Sequence, residues 1–244
     1  MTTSVPVAGE VSIGVERRNG DILPAEVVSF SMQAAAPFAA SLHLAFDGIS
    51  LPDELRDATP GRRTEFLAGR FCAIEALRRL DPTRAPIVPG RSERGAPVWP
   101  TGIVGSITHT GGYVAAAVAR CADARGLGID SERLVSLAQA RRLSLQVCWA
   151  SELMQGMEAG LDRAQSFTLA YSAKESIFKC LFPLTGDMFY YHDVRIEHVE
   201  AQSGIFRARL IKTLSPEFRA GMPIEGRFGI SGPLVHTGVC LPVC

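Results

Sequence analysis

Across 244 residues the chain carries 25 basic and 25 acidic side chains, so it has no net field of the kind that draws a protein onto nucleic acid. Hydrophobic residues make up 47% and charged residues 20%, which excludes a disordered or fibrous chain and supplies apolar material for a substantial core. No segment approaches the roughly 18 consecutive apolar residues of a membrane span, and Met1–Glu10 lacks the basic and apolar stretches of a leader, so the expectation is a cytoplasmic protein without stable membrane insertion.

In chain order, the first sixty residues mix short β-prone runs, Val27–Met32 and Leu42–Phe46, with breakers at Pro24, Pro37, Gly48, Pro52 and Pro60. From Arg62 to Leu80, Phe66, Phe71, Ile74, Leu77 and Leu80 recur at helical spacing over an Ala-rich background, and Asp81-Pro82 stops the helix. Prolines at 82, 86, 89, 97 and 100 make residues 82–102 an extended loop. Gly105–Gly111 reads as a polar loop, and Gly112–Ala119 and Leu127–Asp130 as strands that form a hairpin through a turn at 123–126. A helical stretch follows from about Leu134, and a second long helix covers Phe167–Leu181 and ends at Pro183. Asp193–Val199 and Ile205–Ile211 then alternate apolar and polar residues around Gln202-Ser203-Gly204, a hairpin signal.

Sliding the two long helices over one another with an offset of 104 puts Arg70 on Lys174 and Leu77 on Leu181, which favours an α/β (α+β) chain of two similar lobes over one large sandwich. The six cysteines have no C-x-x-C spacing and several sit in apolar runs, as reduced structural thiols do. Between Arg56 and Arg94 lies an arginine-rich stretch suited to phosphates or to an acidic partner, or simply to a solvated helix face.

Three segments carry chemistry. In Gly126-Leu-Gly-Ile-Asp-Ser-Glu132, a strand continuing through Glu132 would turn Asp130 and Glu132 to one face, where two carboxylates suit a hard divalent cation. The same residues equally suit the start of a helix, with Asp130 or Ser131 as its cap. In Tyr171-Ser-Ala-Lys-Glu-Ser-Ile-Phe-Lys179, Lys174, Glu175 and Lys179 cluster on one side, as a functional group or as an ordinary helical ion pair. Ser176-x-x-Lys179 also has the spacing of a β-lactamase nucleophile, but its partner motifs are missing apart from Lys212-Thr-Leu214, which comes close to one. Gly105-Ser-Ile-Thr-His-Thr-Gly111 offers hydroxyls, backbone amides and His109 to a phosphate, without a P-loop lysine.

Taken jointly and in order, Arg62-Arg-x-Glu-Phe-Leu-Ala-Gly-Arg70, Gly95-x-Pro-x-Trp-Pro100, Gly105-Ser-Ile-Thr-His109, Gly128-Ile-Asp-x-Glu132 and Ser172-Ala-Lys-Glu-Ser-x-x-Lys179 resemble the Sfp-type phosphopantetheinyl transferases, in particular the enterobactin-synthetase component D branch. The resemblance covers about half the chain and leaves residues 1–60 almost untouched. It implies two pseudo-twofold lobes, each a long helix packed on an antiparallel sheet, at residues 1–122 and 123–244, with the active site in the cleft between them. It further implies transfer of the 4′-phosphopantetheine arm of coenzyme A to a serine of an acyl or peptidyl carrier protein, beside that carrier's acidic helix, by a monomeric enzyme using Mg²⁺ or Mn²⁺. The carrier would serve siderophore, nonribosomal peptide, polyketide or fatty-acid synthesis. By the same resemblance Asp130, Glu132 and Glu175, with Glu152, match the metal-site acids; Glu175 and Lys179 are the catalytic pair; and Arg63, Arg70, Arg94, Ser106, Thr108, His109 and Lys174 contact the coenzyme. Two departures are Tyr171, where Trp or Phe is frequent, and Ser131, where an apolar residue is.

Overall fold

The computed structural model describes residues 22–33, 49–83 and 87–243; the β-prone run Leu42–Phe46 lies outside them. After strand β1 (Val28–Gln33) and a 3-10 turn at Asp53–Leu55, helix α1 runs Pro60–Leu80. Thr59 caps it by accepting the Arg62 amide, Pro60 takes the first-turn position where its missing N–H costs nothing, and Arg78 and Arg79 face the negative end. Two short strands, β2 (Gly90–Arg91) and β3 (Pro97–Val98), interrupt the proline-rich loop. Strands β4 (Ile103–Thr110) and β5 (Tyr113–Arg120) turn through Gly111 and Gly112, both at positive φ, as the tight reversal requires.

β5 lies between β1 and β4 in a three-stranded antiparallel sheet. Ala68, Cys72, Ala73 and Ala76 of α1 pack on Phe30, Val114, Ala116 and Val118, small residues on both sides letting helix and sheet approach closely.

The chain then crosses to a second sheet. Strand β6 (Ala124–Arg133) pairs with β10 (Leu234–Pro242) in a five-stranded antiparallel sheet of order β6-β10-β9-β8-β7, where β7 is Val194–Glu200, β8 Ile205–Leu210 and β9 Pro223–Ser231. The hairpin expected between Gly112–Ala119 and Leu127–Asp130 therefore does not form. Both edges of β5 are already paired, with β1 and β4, so β6 has no edge there to join. The β7–β8 hairpin matches its alternating pattern, whereas β10, the neighbour of β6, was not read from the sequence.

Helices α2 (Leu137–Val147) and α3 (Ala150–Glu158) replace the single stretch expected from Leu134, the break falling at Cys148-Trp149. Long helix α4 runs Arg163–Thr185, opening on a capping box of Asp162 and Gln165 and closing on Gly186 at φ 65°. It continues through Pro183 because that residue falls in the last turn, where one missing N–H costs a single bond to the Lys179 carbonyl. The largest core surrounds α4: Phe167, Leu169, Ile177 and Leu181 pack with Phe206, Leu210, Ile196 and Val239. A smaller cluster of Tyr113, Ala115, Ala117, Leu127, Ile129 and Leu234 joins the two sheets. Among the described residues no helix is long and apolar enough to cross a membrane.

Candidate active site

The site forms where β4, β6 and α4 meet. Glycine decides how close α4 comes. A Cβ at Gly128 would collide with the Ser176 carbonyl oxygen and stand 2.6 Å from the Cys180 amide, and one at Gly126 would stand 3.1 Å from the Cys180 sulfur. The Gly-x-Gly of β6 therefore admits a helix rather than a phosphate, and laying α4 on this strand brings Ser172 and Lys179 to Asp130.

β6 continues through Glu132, and the cap of α2 is Ser136, so the strand reading of Asp130 and Glu132 holds over the helix-cap reading. Asp130 is buried; its Oδ1 accepts from Lys179 Nζ at 2.6 Å and from Thr108 Oγ1 at 3.1 Å, and its Oδ2 accepts from Ser172 Oγ at 2.8 Å. Ser131 belongs to the opposite face, its hydroxyl 2.8 Å from His236 Nδ1 on β10. Glu132 accepts from Thr110 Oγ1 at a long 3.3 Å. Burial first, then the neighbouring Asp130 charge, with a smaller push from Glu175, raises its pKa to about 7. Glu175 Oε1 accepts from the Tyr191 hydroxyl at 2.7 Å, and burial together with that bond pushes the phenol's pKa up.

Electrostatically, then, Asp130, Glu132, Glu175 and Lys179 form one group. Three oxygen-only carboxylates that repel one another beside Lys179 have the donor chemistry of a hard divalent ion. Among the described residues no set of three His, Cys, Asp or Glu side chains is already spaced to enclose a metal; Lys179 engages Asp130 and Tyr191 engages Glu175.

Gly105–Thr110 is strand, not loop, with Gly111 opening the turn. Its hydroxyls recur every second residue because they line one face: Ser106 Oγ accepts the Ile129 amide at 3.0 Å, Thr108 Oγ1 accepts the Ser131 amide at 3.0 Å, and Thr110 reaches Glu132. Ser106 and Thr108 are thus buried struts between the sheets, their hydroxyls engaged by β6. His109 lies on the other face, against α1. Its Nε2 is 2.8 Å from Arg62 Nη1 and its Nδ1 is 3.4 Å from a Glu65 oxygen. A guanidinium only donates, so Nε2 accepts and Nδ1 carries the proton; burial, with help from the Arg62 charge and against the opposing pull of Glu65, lowers the ring's pKa.

Other expected contacts are not brought to this group. Arg70 is buried, donates to the Gly90 carbonyl at 3.0 Å and covers the Phe66 ring; desolvation, with Arg91 nearby, lowers its pKa to about 10. Arg94 donates to the Gly186 carbonyl at the C-terminus of α4. Arg63 is half-buried in the first turn of α1. Lys174 and Glu152, expected at the diphosphate and the metal, form a buried ion pair with side chains 1% and 0% exposed. Lys174 Nζ lies 2.9 Å from the carboxylate and 2.8 Å from the Val147 carbonyl, while Glu152 also accepts the amides of Trp149 and Ile196. Both side chains of the pair are thus engaged by protein groups. Ser176 is fully buried and donates to the Ala173 carbonyl, which removes it as a nucleophile.

Arg62 and Tyr191 were missed. Arg62 stood in the arginine stretch without distinction, and Tyr191 is remote in sequence from the acid it holds. Beside Glu175 opens a cavity of about 230 Å³ lined by Phe178, Met188, Phe189, Tyr190 and Tyr191.

Residues 51–119 match the model of the 4′-phosphopantetheinyl transferase N-terminal domain and residues 126–222 that of the 4′-phosphopantetheinyl transferase superfamily. The chain is 42% identical over 154 residues to 4′-phosphopantetheinyl transferase Svp of Streptomyces mobaraensis, a match covering 63% of this chain and 61% of that protein. It is 39% identical over 126 residues to enterobactin synthase component D of Escherichia coli (strain K12), covering 52% and 58%. The chain thus spans under two thirds of the length of those two relatives. With 4′-phosphopantetheinyl transferase PptT of Mycobacterium tuberculosis it shares 32% identity over 202 residues, 78% of this chain and 86% of that protein. A likeness carried through nearly the whole of one relative, with the two models lying on successive sheets, makes the chain a member of the 4′-phosphopantetheinyl transferase superfamily.

Proposed function

We propose that this chain transfers the 4′-phosphopantetheine arm of coenzyme A to a serine hydroxyl of an apo acyl or peptidyl carrier protein, releasing adenosine 3′,5′-bisphosphate. The carrying observation is the grouping of Asp130, Glu132 and Glu175 with Lys179 at the seam of the two sheets. The lobes are residues 1–122 and 123–244, and the working form is a cytoplasmic monomer.

Asp130, Glu132 and Glu175 would hold Mg²⁺ or Mn²⁺. When bound, the cation offsets repulsion between these acids and the diphosphate and polarises the phosphoryl group under attack. Lys179 then neutralises the charge that develops on the departing bisphosphate. Glu175, one oxygen held by Tyr191, accepts the serine proton on the other as the new Ser O–P bond forms and the diphosphate P–O bond breaks. Arg62 supplies guanidinium hydrogen bonds to the coenzyme's phosphates, and His109, whose Nε2 accepts from it, holds it in place. The cavity beside Glu175 has the apolar walls and position to take part of the pantetheine arm. Likeness to enterobactin synthase component D favours a carrier of siderophore or other nonribosomal peptide synthesis.

Incubation with coenzyme A, Mg²⁺ and a panel of apo-carriers should give a phosphopantetheine adduct by intact mass, and Asp130→Ala should give none. Absence of an adduct on every carrier, or full activity in Asp130→Ala, would overturn the proposal.

A further inference from the structure

The direction of hydrogen bonding around Asp130 is set by chemistry. A carboxylate accepts only, so Ser172, whose Oγ lies 2.8 Å from Oδ2, must spend its one hydroxyl proton there. Thr237 Oγ1 donates to the Ser172 carbonyl at 2.9 Å and lies equally close, 2.9 Å, to Ser172 Oγ, which with its own proton spent on Asp130 can only accept there, so the one Thr237 proton is shared between two acceptors on Ser172. On the other side the Ser131 amide donates to Thr108 Oγ1, which donates to Oδ1. Two sets of buried hydroxyls, Thr237 against Ser172 on one side and Thr108 on the other, therefore converge on the two oxygens of one carboxylate. They arrive from β10 through α4 and from β4.

Ser172 departs from its helix in a telling way. Ser166, Thr168, Ser176 and Thr185 of α4 all turn their hydroxyls back onto carbonyls of their own helix, the local bond such residues ordinarily make. Ser172 forgoes that bond and reaches across to β6. Thr108, Ser172 and Thr237 are each at most 1% exposed, so water does not compete for these bonds, whereas the Lys179 side chain is 27% exposed and able to swing toward substrate.

We propose that Ser172, Thr237 and Thr108 are positioning residues that fix the Asp130 carboxylate independently of Lys179, with Thr237 acting through Ser172. This rests on the reading of Asp130 as a cation ligand. Hydrogen-bonded partners of ligating groups commonly govern about 10–100-fold of metal affinity.

The test is titration of the full chain, loaded with coenzyme A, with Mn²⁺ followed by electron paramagnetic resonance. Ser172→Ala should weaken Mn²⁺ binding about tenfold while leaving cation-free coenzyme A binding unchanged, and Ser172→Thr should restore most of the affinity. Thr237→Val should cost several-fold with Ser172 present and nothing further in the Ser172→Ala background, because two residues acting in series are not additive. Unchanged Mn²⁺ affinity in Ser172→Ala, or an equal Thr237→Val loss in both backgrounds, overturns the proposal. Should Ser172→Ala not fold, Thr237→Val alone decides it by weakened or unchanged affinity. Asp130→Ala separates the two levels: intact Mn²⁺ binding there sinks the cation reading itself, while its loss alongside normal binding in Ser172→Ala sinks only the positioning role.

Discussion

A lysine and a glutamate that both sit in or near functional motifs can still be structural, and Lys174 and Glu152 show how to tell. Their charges are fully desolvated and every remaining polar atom meets backbone, which joins α2, α3, α4 and β7 at one point. Removing one partner strands the other charge, so Lys174→Met should destabilise the fold by about 3–5 kcal/mol in chemical denaturation. Lys174→Met with Glu152→Leu should recover most of that loss. A stable Lys174→Met variant with weakened coenzyme A binding would instead return Lys174 to the diphosphate. Glu175, the next residue, points elsewhere because successive helical side chains are about 100° apart, and Tyr191 meets it there. The sequence spacing distinguished a Glu175–Lys179 face but had no means of showing that Lys174 turns inward.

At the scale of elements, the site depends on how closely α4 lies on β6. Gly128→Ala would push a methyl group into the Ser176 carbonyl and the Cys180 amide, backbone atoms that cannot move without shifting the helix. We expect a cost of about 1–3 kcal/mol, and a drop in kcat larger than any rise in KM, since Lys179 and Ser172 would be carried away from Asp130. Wild-type turnover with wild-type stability would show that the helix contact is slack. β4 teaches a related lesson. Its Ser-x-Thr-x-Thr hydroxyls look like a loop when polarity is taken as exposure, yet they face a second sheet whose backbone amides and carboxylates satisfy them.

For the whole molecule, Glu132 is a group whose raised pKa carries a pH consequence up to neutrality. Its pKa is about 7 in the folded chain against 4.5 ordinarily, because burial and the Asp130 charge disfavour ionisation. Between those values the folded chain keeps a proton that the unfolded chain has released, so this residue's contribution to stability is complete below 4.5 and is lost as pH rises through about 7. His109, whose pKa is lowered, works in the opposite sense, so the comparison that isolates Glu132 is wild type against Glu132→Gln. Denaturation without divalent cation should show wild type losing stability relative to the variant over that window. Parallel curves would mean that Glu132 is better solvated than its neighbours suggest.

Periodicity and local chemistry alone determined the two long helices and the β7–β8 hairpin, because each depends on residues a few positions apart, whereas the strand face shared by Asp130 and Glu132 was one of two readings. The ordered motifs pointed to the family, since their joint occurrence is improbable otherwise. Tertiary structure decided what long-range pairing decides. It seated β6 beside β10 instead of β5, where no edge was free. It set Ser106 and Thr108 as struts between the sheets, paired Lys174 with Glu152, and brought Arg62 to His109 and Tyr191 to Glu175. Those outcomes depend on which groups meet after burial, when each donor must find an acceptor, and local spacing carries no record of that.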